Sequence, residues 1–342
     1  MICPHCDKRL LRRERPDLTC STCERRFALD PKTNDLGISD VGIRRLTEKL
    51  TDGGRLKITV EQLCFAATRR NRTAGRGRDG AIGCSLIGLP ISGALLAVGA
   101  HEGGNGLVFA VFGAVLLIGV VVQLIAKLVG TRREEKLPIG YFRSTVLARW
   151  RELYGALPPG VVDRTAHHDA ALLAGTKAAL FCQDSSVLVF LEINKIPQKY
   201  EIVLVTEARA IPEAVPVIVL HDADPAGCLL TERIRETLPG RRVIDAGLPP
   251  RSVMSGKGTA SLRGPRPEPA TLYDLRATGA LTAAELAWLA KGWTGALAGV
   301  PPVKLLAAVV RVVERATAAV DTDRRGAEAL GFLSWPGEEA AR

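Results

Sequence analysis

The chain has 342 residues, 46 Lys and Arg against 36 Asp and Glu, and a formal net charge of +10. That length argues against one small core and leaves room for two or three units, while the charge favours a polyanionic neighbour, either nucleic acid or the anionic inner face of a membrane. Of the eight cysteines, four form two CxxC pairs and Cys64, Cys84, Cys182 and Cys228 are scattered singly, which argues against a disulfide framework and for a reducing compartment.

No charged-then-apolar signal peptide precedes the first cysteine pair. Cys3-x-x-Cys6 and Cys20-x-x-Cys23 stand thirteen residues apart, and each pair can give two thiolates to one tetrahedral Zn²⁺. Metal ligation holds together a segment too small for a core of its own, so residues 1–33 are similar to a zinc ribbon with structural Zn²⁺, His5 being an alternative ligand. Four thiolates leave no open position for catalysis. Lys8, Arg9, Arg12, Arg13, Arg15, Arg25 and Arg26 read as a solvated basic face that can also meet phosphates.

Residues 34–78 form a small mixed segment with a basic juxtamembrane run. Val41, Ile43, Leu46 and Leu50 give one short helical pattern, Asp52-Gly53-Gly54 turns the chain, and Thr59 caps a second helix through Ala67. Within residues 79–128, Ala81–Ala100 and Leu107–Ala126 carry no formal charge, and each is long enough to span ~30 Å of hydrocarbon. They predict a two-helix transmembrane hairpin. Arg69, Arg70, Arg72, Arg76 and Arg78 precede it and Lys127, Arg132, Arg133 and Lys136 follow it, while the connection His101–Gly106 has no Lys or Arg. A multi-pass protein of the cell membrane with both termini cytoplasmic is therefore expected. Gly93-x-x-x-Ala97 and Ala110-x-x-x-Ala114 permit close helix packing.

Residues 129–175 hold a juxtamembrane helix, Tyr141 to Leu157, and a polar linker with His167 and His168. Tyr154 on that helix is expected to pack rather than act as a nucleophile. From 176 to 254 apolar runs alternate with helical ones. Lys177–Cys182, Glu201–Thr206, Val215–Leu220 and Arg241–Asp245 read as strands, and Ser185–Ile193 and Cys228–Leu238 as helices, the first opened by a serine cap. The β-branched run Val187–Leu191 fits a strand equally. Such alternation gives an α/β domain with a mainly parallel sheet, and Val215–Leu220, apolar on both faces, is its central strand.

Asp222 and Asp224 follow that strand at i and i+2, on one side of an extended chain and at the end where α/β sheets gather ligands. Two hard oxygen ligands there suit Mg²⁺. An Asp-Pro-x-Gly turn in which the aspartate caps the next helix explains the same residues without a metal. Gly256-Lys257-Gly258-Thr259 is no phosphate loop, because Arg251 stands where the first glycine belongs and Gly258 where Ser or Thr belongs. Residues 255–342 begin with a Gly, Pro and Arg-rich linker from Ser255 to Thr271. Beyond it, Thr282-x-x-Glu285 is a capping box with Leu281 and Leu286 as a staple, and Val303, Leu306, Val310 and Val313 mark a further helix of a C-terminal helical appendage.

The strand followed by His221-Asp222-Ala223-Asp224-Pro225-Ala226-Gly227 resembles the DxD motif of Toprim domains, the Rossmannoid metal-binding fold of topoisomerases, bacterial primases and certain nucleases. The nearest likeness is to the catalytic subunit of type IIB topoisomerases. It covers Thr176 to Pro250, under a quarter of the chain. The resemblance implies Mg²⁺ at Asp222 and Asp224. It also implies an acid-base group at the end of the first strand, where the family has glutamate and this chain offers Asp184. Two departures stand out: that shorter side chain, and the connection Glu207–Ala214, too short for the helix the family has there. No winged-helix region bearing a topoisomerase tyrosine is recognisable.

The expected function is thus a membrane-anchored, cytosol-facing Toprim-like protein that binds Mg²⁺ and acts on nucleic-acid phosphodiesters, with Asp184, Asp222 and Asp224 as catalytic residues. The alternative is a non-catalytic membrane-tethered sensor or scaffold, for example in bacterial defence. Its protein partner would be met through the zinc ribbon or the C-terminal helices.

Overall fold

The chain divides into two compact units, Met1–Thr68 with Lys136–Arg342, and Arg69–Glu135. The computed structural model describes residues 1–76, 139–164, 175–213, 215–256, 259 and 261–329. The expected hairpin, 79–128, lies outside the described residues, as do His167 and His168. Among the described residues no helix is long and apolar enough to cross a membrane.

In the first unit the cysteine segment leads into a small helical core. Ser39 caps α1 (Asp40–Leu50) by accepting from the Gly42 amide, and Asp52, Gly53 and Gly54 all take positive φ to turn the chain back, as the sequence suggests. β1 (Ile58–Thr59) runs into α2 (Val60–Arg76). Thr59 and Gln62 cap that helix reciprocally: the Gln62 amide donates to Thr59 Oγ1, and the Thr59 amide donates to Gln62 Oε1.

The helix expected from Tyr141 to Leu157 appears as α3 (Ile139–Tyr141), a π-helical stretch Phe142–Leu147, and α4 (Ala148–Tyr154), closed by Gly155 at φ 73°. It does not stand alone. Phe142, Val146, Leu147 and Trp150 are buried against Ile43, Leu63 and Cys64 of α1 and α2, and β2 (Val161–Val162) pairs in parallel with β1. Segments separated by about seventy positions thus share one core, which a linear division at 78 and 128 does not convey.

Asp40 is the polar pin of this core. Fully buried, it accepts from the Ala28 and Leu29 amides at 2.8 and 2.7 Å and from the Tyr154 hydroxyl, so one carboxylate ties together the end of the cysteine segment, the start of α1 and the end of α4. Arg44 lies over the rings of Trp150 and Tyr154 and donates to the Pro4 carbonyl.

The larger core is a mixed α/β structure around a four-stranded parallel sheet: β3 (Ala178–Cys182), β4 (Ile202–Val205), β5 (Val217–Leu220) and β6 (Val243–Asp245), ordered β4-β3-β5-β6. β5 is interior, as expected, pairing Ile218 with Leu180 on one side and with Ile244 on the other. Alternation sorts the strands' side chains to two faces. Ala178, Leu180, Ile202, Leu204, Ile218 and Leu220 meet α5 (Ser185–Ile193) on one side. Ala179, Phe181, Val203, Val205, Val217 and Val219 meet Leu230 and Ile234 of α7 (Pro225–Thr237) on the other. A short α6 (Ile196–Tyr200) leads into β4, and among the described residues only a 3₁₀ turn, Ala208–Ala210, lies between β4 and β5. Val187–Leu191 is helix. Its cap is Asp184 rather than a serine, because the aspartate oxygen reaches the Ser186 and Val187 amides.

The C-terminal part is not an appendage. After α8 (Pro250–Met254), the segment expected to be linker contains β7 (Ser261–Arg263), and then come α9 (Pro269–Ala277) and α10 (Ala283–Ala290). β8 (Trp293–Gly295) returns antiparallel to β7, and α11 (Pro302–Ala329) follows. The expected capping box of Thr282 and Glu285 is present. Leu305, Val309, Val313 and Ala316 of α11 are buried in the core on the α5 side of the sheet. Val303, expected on that stripe, is 43% exposed, because the buried row begins two residues later.

Truncating Asp40 leaves three donors without their acceptor. Asp40→Ala is expected to destabilise the protein by about 2–4 kcal/mol and Tyr154→Phe by about 1 kcal/mol. Chemical denaturation of both variants measures this, and an Asp40→Ala loss no larger than that of Tyr154→Phe would remove Asp40 as the pin.

Candidate functional site

Two constellations of chemically capable side chains stand out, one near the N-terminus and one in the α/β core. The first is the cysteine cluster. Sγ atoms of Cys3, Cys6, Cys20 and Cys23 all lie within 4.8 Å of one another, with Cys3 to Cys23 at 3.7 Å and Cys6 to Cys20 at 3.8 Å. Thiolates held tetrahedrally at about 2.3 Å from a zinc ion stand about 3.8 Å apart, so the spacing fits such an ion.

Two copies of one local device build the cluster. The Cys3 amide donates to the Lys8 carbonyl and the Cys20 amide to that of Arg25. The His5 amide approaches Cys3 Sγ and the Thr22 amide Cys20 Sγ. Asp7 and Glu24 take positive φ just after the second cysteine of each pair. The bridges Ile2 to Arg9 and Thr19 to Arg26 flank them at matching places. Every element recurs seventeen positions on, a repeat that the CxxC spacing shows only in part. His5 Nε2 instead pairs with the Arg26 carbonyl at 2.8 Å. It belongs to the framework and not to the ligand set.

The second constellation lies at the carboxyl ends of β3, β5 and β6. Asp184, Asp222 and Asp224, with Gln183, His221, Gly227 and Leu297, line a cavity of about 300 Å³. Sequence-predicted residues from two strands are thus brought together at the expected edge of the sheet. Each carboxylate already has a structural bond. Asp184 Oδ1 accepts from the Ser186 amide and hydroxyl at 2.8 and 2.7 Å, capping α5. Asp224 Oδ1 accepts from the Gly227 amide at 2.6 Å, capping α7 as the turn-and-cap alternative requires. Asp222 caps nothing, and its Oδ1 accepts from the Leu297 amide at 2.7 Å. All of these bonds fall on Oδ1, and among the described residues no protein donor reaches Oδ2 of the three.

Among the described residues the cysteines are the only group of three or more such side chains already placed to hold a metal ion. The three aspartates do not form such a group. Their charges nonetheless reach one another. Burial, together with the charges of Asp184 and Asp224, pushes the Asp222 carboxyl from 3.8 to about 6, even though the Leu297 amide works against the shift.

His221 and Asp245 belong to the site and carry no motif of their own. His221 is buried, with Nδ1 at 2.8 Å from the Asp222 carbonyl and Nε2 at 3.1 Å from Asp245 Oδ1. Burial lowers its pKa, but the Asp245 carboxylate and the Asp222 carbonyl outweigh that and raise it. Asp245, desolvated yet paired with His221 and with the Gly247 amide, is held below the usual carboxylate range. Gly247 is required here, since a Cβ would stand 2.1 Å from the imidazole ring. Asp245 ends a parallel strand just as Leu220 precedes Asp222, which is the one sequence signal that could have found it. Leu297 contributes a backbone amide and left no signal.

Other candidate nucleophiles are spent. Burial raises the Cys182 thiol strongly and the Cys228 thiol to about 12. The Tyr154 hydroxyl is raised by burial and by its bond to Asp40. No family model, no curated protein and no solved structure matches the chain.

The shifts fix a pH dependence. Asp222 and His221 both hold a proton more tightly when folded, so their contribution favours folding at low pH. It is lost as pH rises, for Asp222 from 3.8 to about 6 and for His221 above 6.5. Asp245, depressed, contributes above 3.8 and loses that contribution only in stronger acid. Without divalent cations, stability should fall as pH rises from 3.8 to about 6 and again above 6.5. Asp222→Asn, which keeps an oxygen for the Leu297 amide, should flatten the Asp222 part and stabilise the protein at pH 8 by about 1–3 kcal/mol. Denaturation midpoints across that range test this, and a destabilised Asp222→Asn at pH 8 would contradict it.

Proposed function

We propose that the chain is a membrane-anchored, cytosol-facing, Toprim-like protein. Its α/β core binds Mg²⁺ at Asp222 and Asp224 and acts on nucleic-acid phosphodiesters, and its cysteine cluster is a structural zinc ribbon. The observation that carries the proposal is the convergence of Asp184, Asp222 and Asp224 on one cavity at the carboxyl edge of a parallel sheet, each with an oxygen that no donor among the described residues uses.

The donor set fits a hydrated ion. Mg²⁺ keeps several waters and is typically held by one or two carboxylates, which does not require all three groups to touch it. A half-buried carboxylate raised to about 6 by desolvation and by neighbouring negative charge is what such a site looks like before a cation neutralises it. When bound, Mg²⁺ would withdraw charge from a phosphate oxygen. This chain's residues would do the rest: Asp222 and Asp224 orient the ion, Leu297 fixes Asp222, and Oδ2 of Asp184 accepts a proton while Oδ1 stays with its helix cap. The apolar stretches at 81–100 and 107–126 would hold the core at the membrane.

One observation favours the non-catalytic alternative. Asp184 and Asp224 both cap helices, so a sensor or scaffold would retain them for folding alone. The two are separated by activity. Purified full-length chain should cleave or nick labelled single- or double-stranded DNA or RNA with Mg²⁺, and lose this at least a hundredfold in Asp222→Asn. No Mg²⁺-dependent cleavage of any of these would leave the scaffold standing.

Zinc has its own test. The purified chain should hold about one Zn²⁺ under reducing conditions, and Cys20→Ser should lower both the metal content and the melting temperature. Metal-free protein that melts like the wild type would remove the ribbon's ion.

A further inference from the structure

The ribbon of β7 and β8 is built directly onto the aspartate loop. Ala223, between the two aspartates, exchanges both backbone hydrogen bonds with Gly295 at 2.8 and 3.0 Å, and Leu297 two residues on holds Asp222. Gly295 is opposite Ser261, and two residues back along the ribbon, about 7 Å away, Trp293 is opposite Arg263. The Arg263 guanidinium rests over the Trp293 ring, 5.1 Å from its centroid. Among the described residues that ring is its only partner: no carboxylate pairs with it and no acceptor takes its donors. Arg266 and Lys291 nearby are exposed and likewise unpaired.

An arginine held by an aromatic face keeps its charge and all five donors while losing much of its freedom. Such a group is prepared for a bidentate oxyanion. The position matters because the ribbon's register fixes it relative to Asp222 and Asp224.

We infer that Arg263, seated on Trp293, binds a backbone phosphate of the nucleic-acid strand whose neighbouring phosphodiester lies at the aspartates, with Arg266 and Lys291 adding general attraction. This rests on the nucleic-acid function proposed above and supplies the cationic contact that the acidic cavity itself lacks. A polyanion approaching Asp184, Asp222 and Asp224 meets repulsion, and a fixed cation beside them sets where the strand enters.

Binding of a fluorescent oligothymidylate to the purified full chain, titrated over a range of salt with Mg²⁺ present, tests the inference, with an oligouridylate arm to separate DNA from RNA. Arg263→Gln should weaken binding about fivefold and reduce the slope of log affinity against log salt by about 0.7, the value for one phosphate contact on a single strand. Arg263→Lys should keep the slope and recover part of the affinity, since it keeps charge without the fork. Trp293→Phe should retain more affinity than Trp293→Leu. If Arg263→Gln leaves affinity and slope unchanged, or if Gln and Lys lose affinity equally with no change of slope, the phosphate role is overturned while the nucleic-acid function stands. If the wild type binds neither oligonucleotide nor a DNA or RNA duplex, both fall.

Discussion

The hydrogen bond from the Leu297 amide to Asp222 spans seventy-five positions of sequence, and the arrangement of the α/β core follows from it. A half-buried carboxylate at the end of β5 needs a donor, and its donor is not close in sequence. The chain supplies one by bringing β7 and β8 back to pair with Ala223 and by packing α11 against the sheet immediately afterwards. Without that return, Asp222 would face the cavity with no protein donor, beside two further negative charges.

The same edge is held from its other side by His221. Its ring bridges the Asp222 carbonyl and the Asp245 carboxylate, and Gly247 leaves room for it. The aspartate loop is therefore fixed by a histidine on one flank and a backbone ribbon on the other. Elements that cap helices, Asp184 and Asp224, face the same cavity. Cap and ligand are not exclusive roles for a carboxylate, since a cap uses one oxygen and leaves the other.

Where the physics is local, it could be read from sequence. The β-branched run ending at Leu220, the capping box at Thr282 and Glu285, and the CxxC pairs each carry their cause within a few residues. So does the short connection after β4, which holds a 3₁₀ turn. What could not be read is what non-neighbours do for one another. Asp40 looks like an ordinary first-turn aspartate until Ala28, Leu29 and Tyr154 close around it. Ser261–Arg263 looks like linker, since three residues carry too little pattern to mark a strand, and pairing with Trp293–Gly295 makes it one. Ser185 was the expected cap, but Asp184, one position earlier with a longer reach, takes the amides.

The central claim is that Asp222 and Asp224 form a cation site. Thermal melting of the full chain with millimolar Mg²⁺ and with chelator, for the wild type and for the Asp222→Asn, Asp224→Asn double variant, tests it most directly. A cation site predicts that Mg²⁺ stabilises the wild type, by ~2.7 kcal/mol at a hundredfold excess over the dissociation constant, and does nothing to the variant, which itself melts higher than chelated wild type because the repulsion is gone. A wild type whose melting temperature ignores Mg²⁺, alongside a double variant that folds as well because asparagine caps a helix about as well as aspartate, would contradict it.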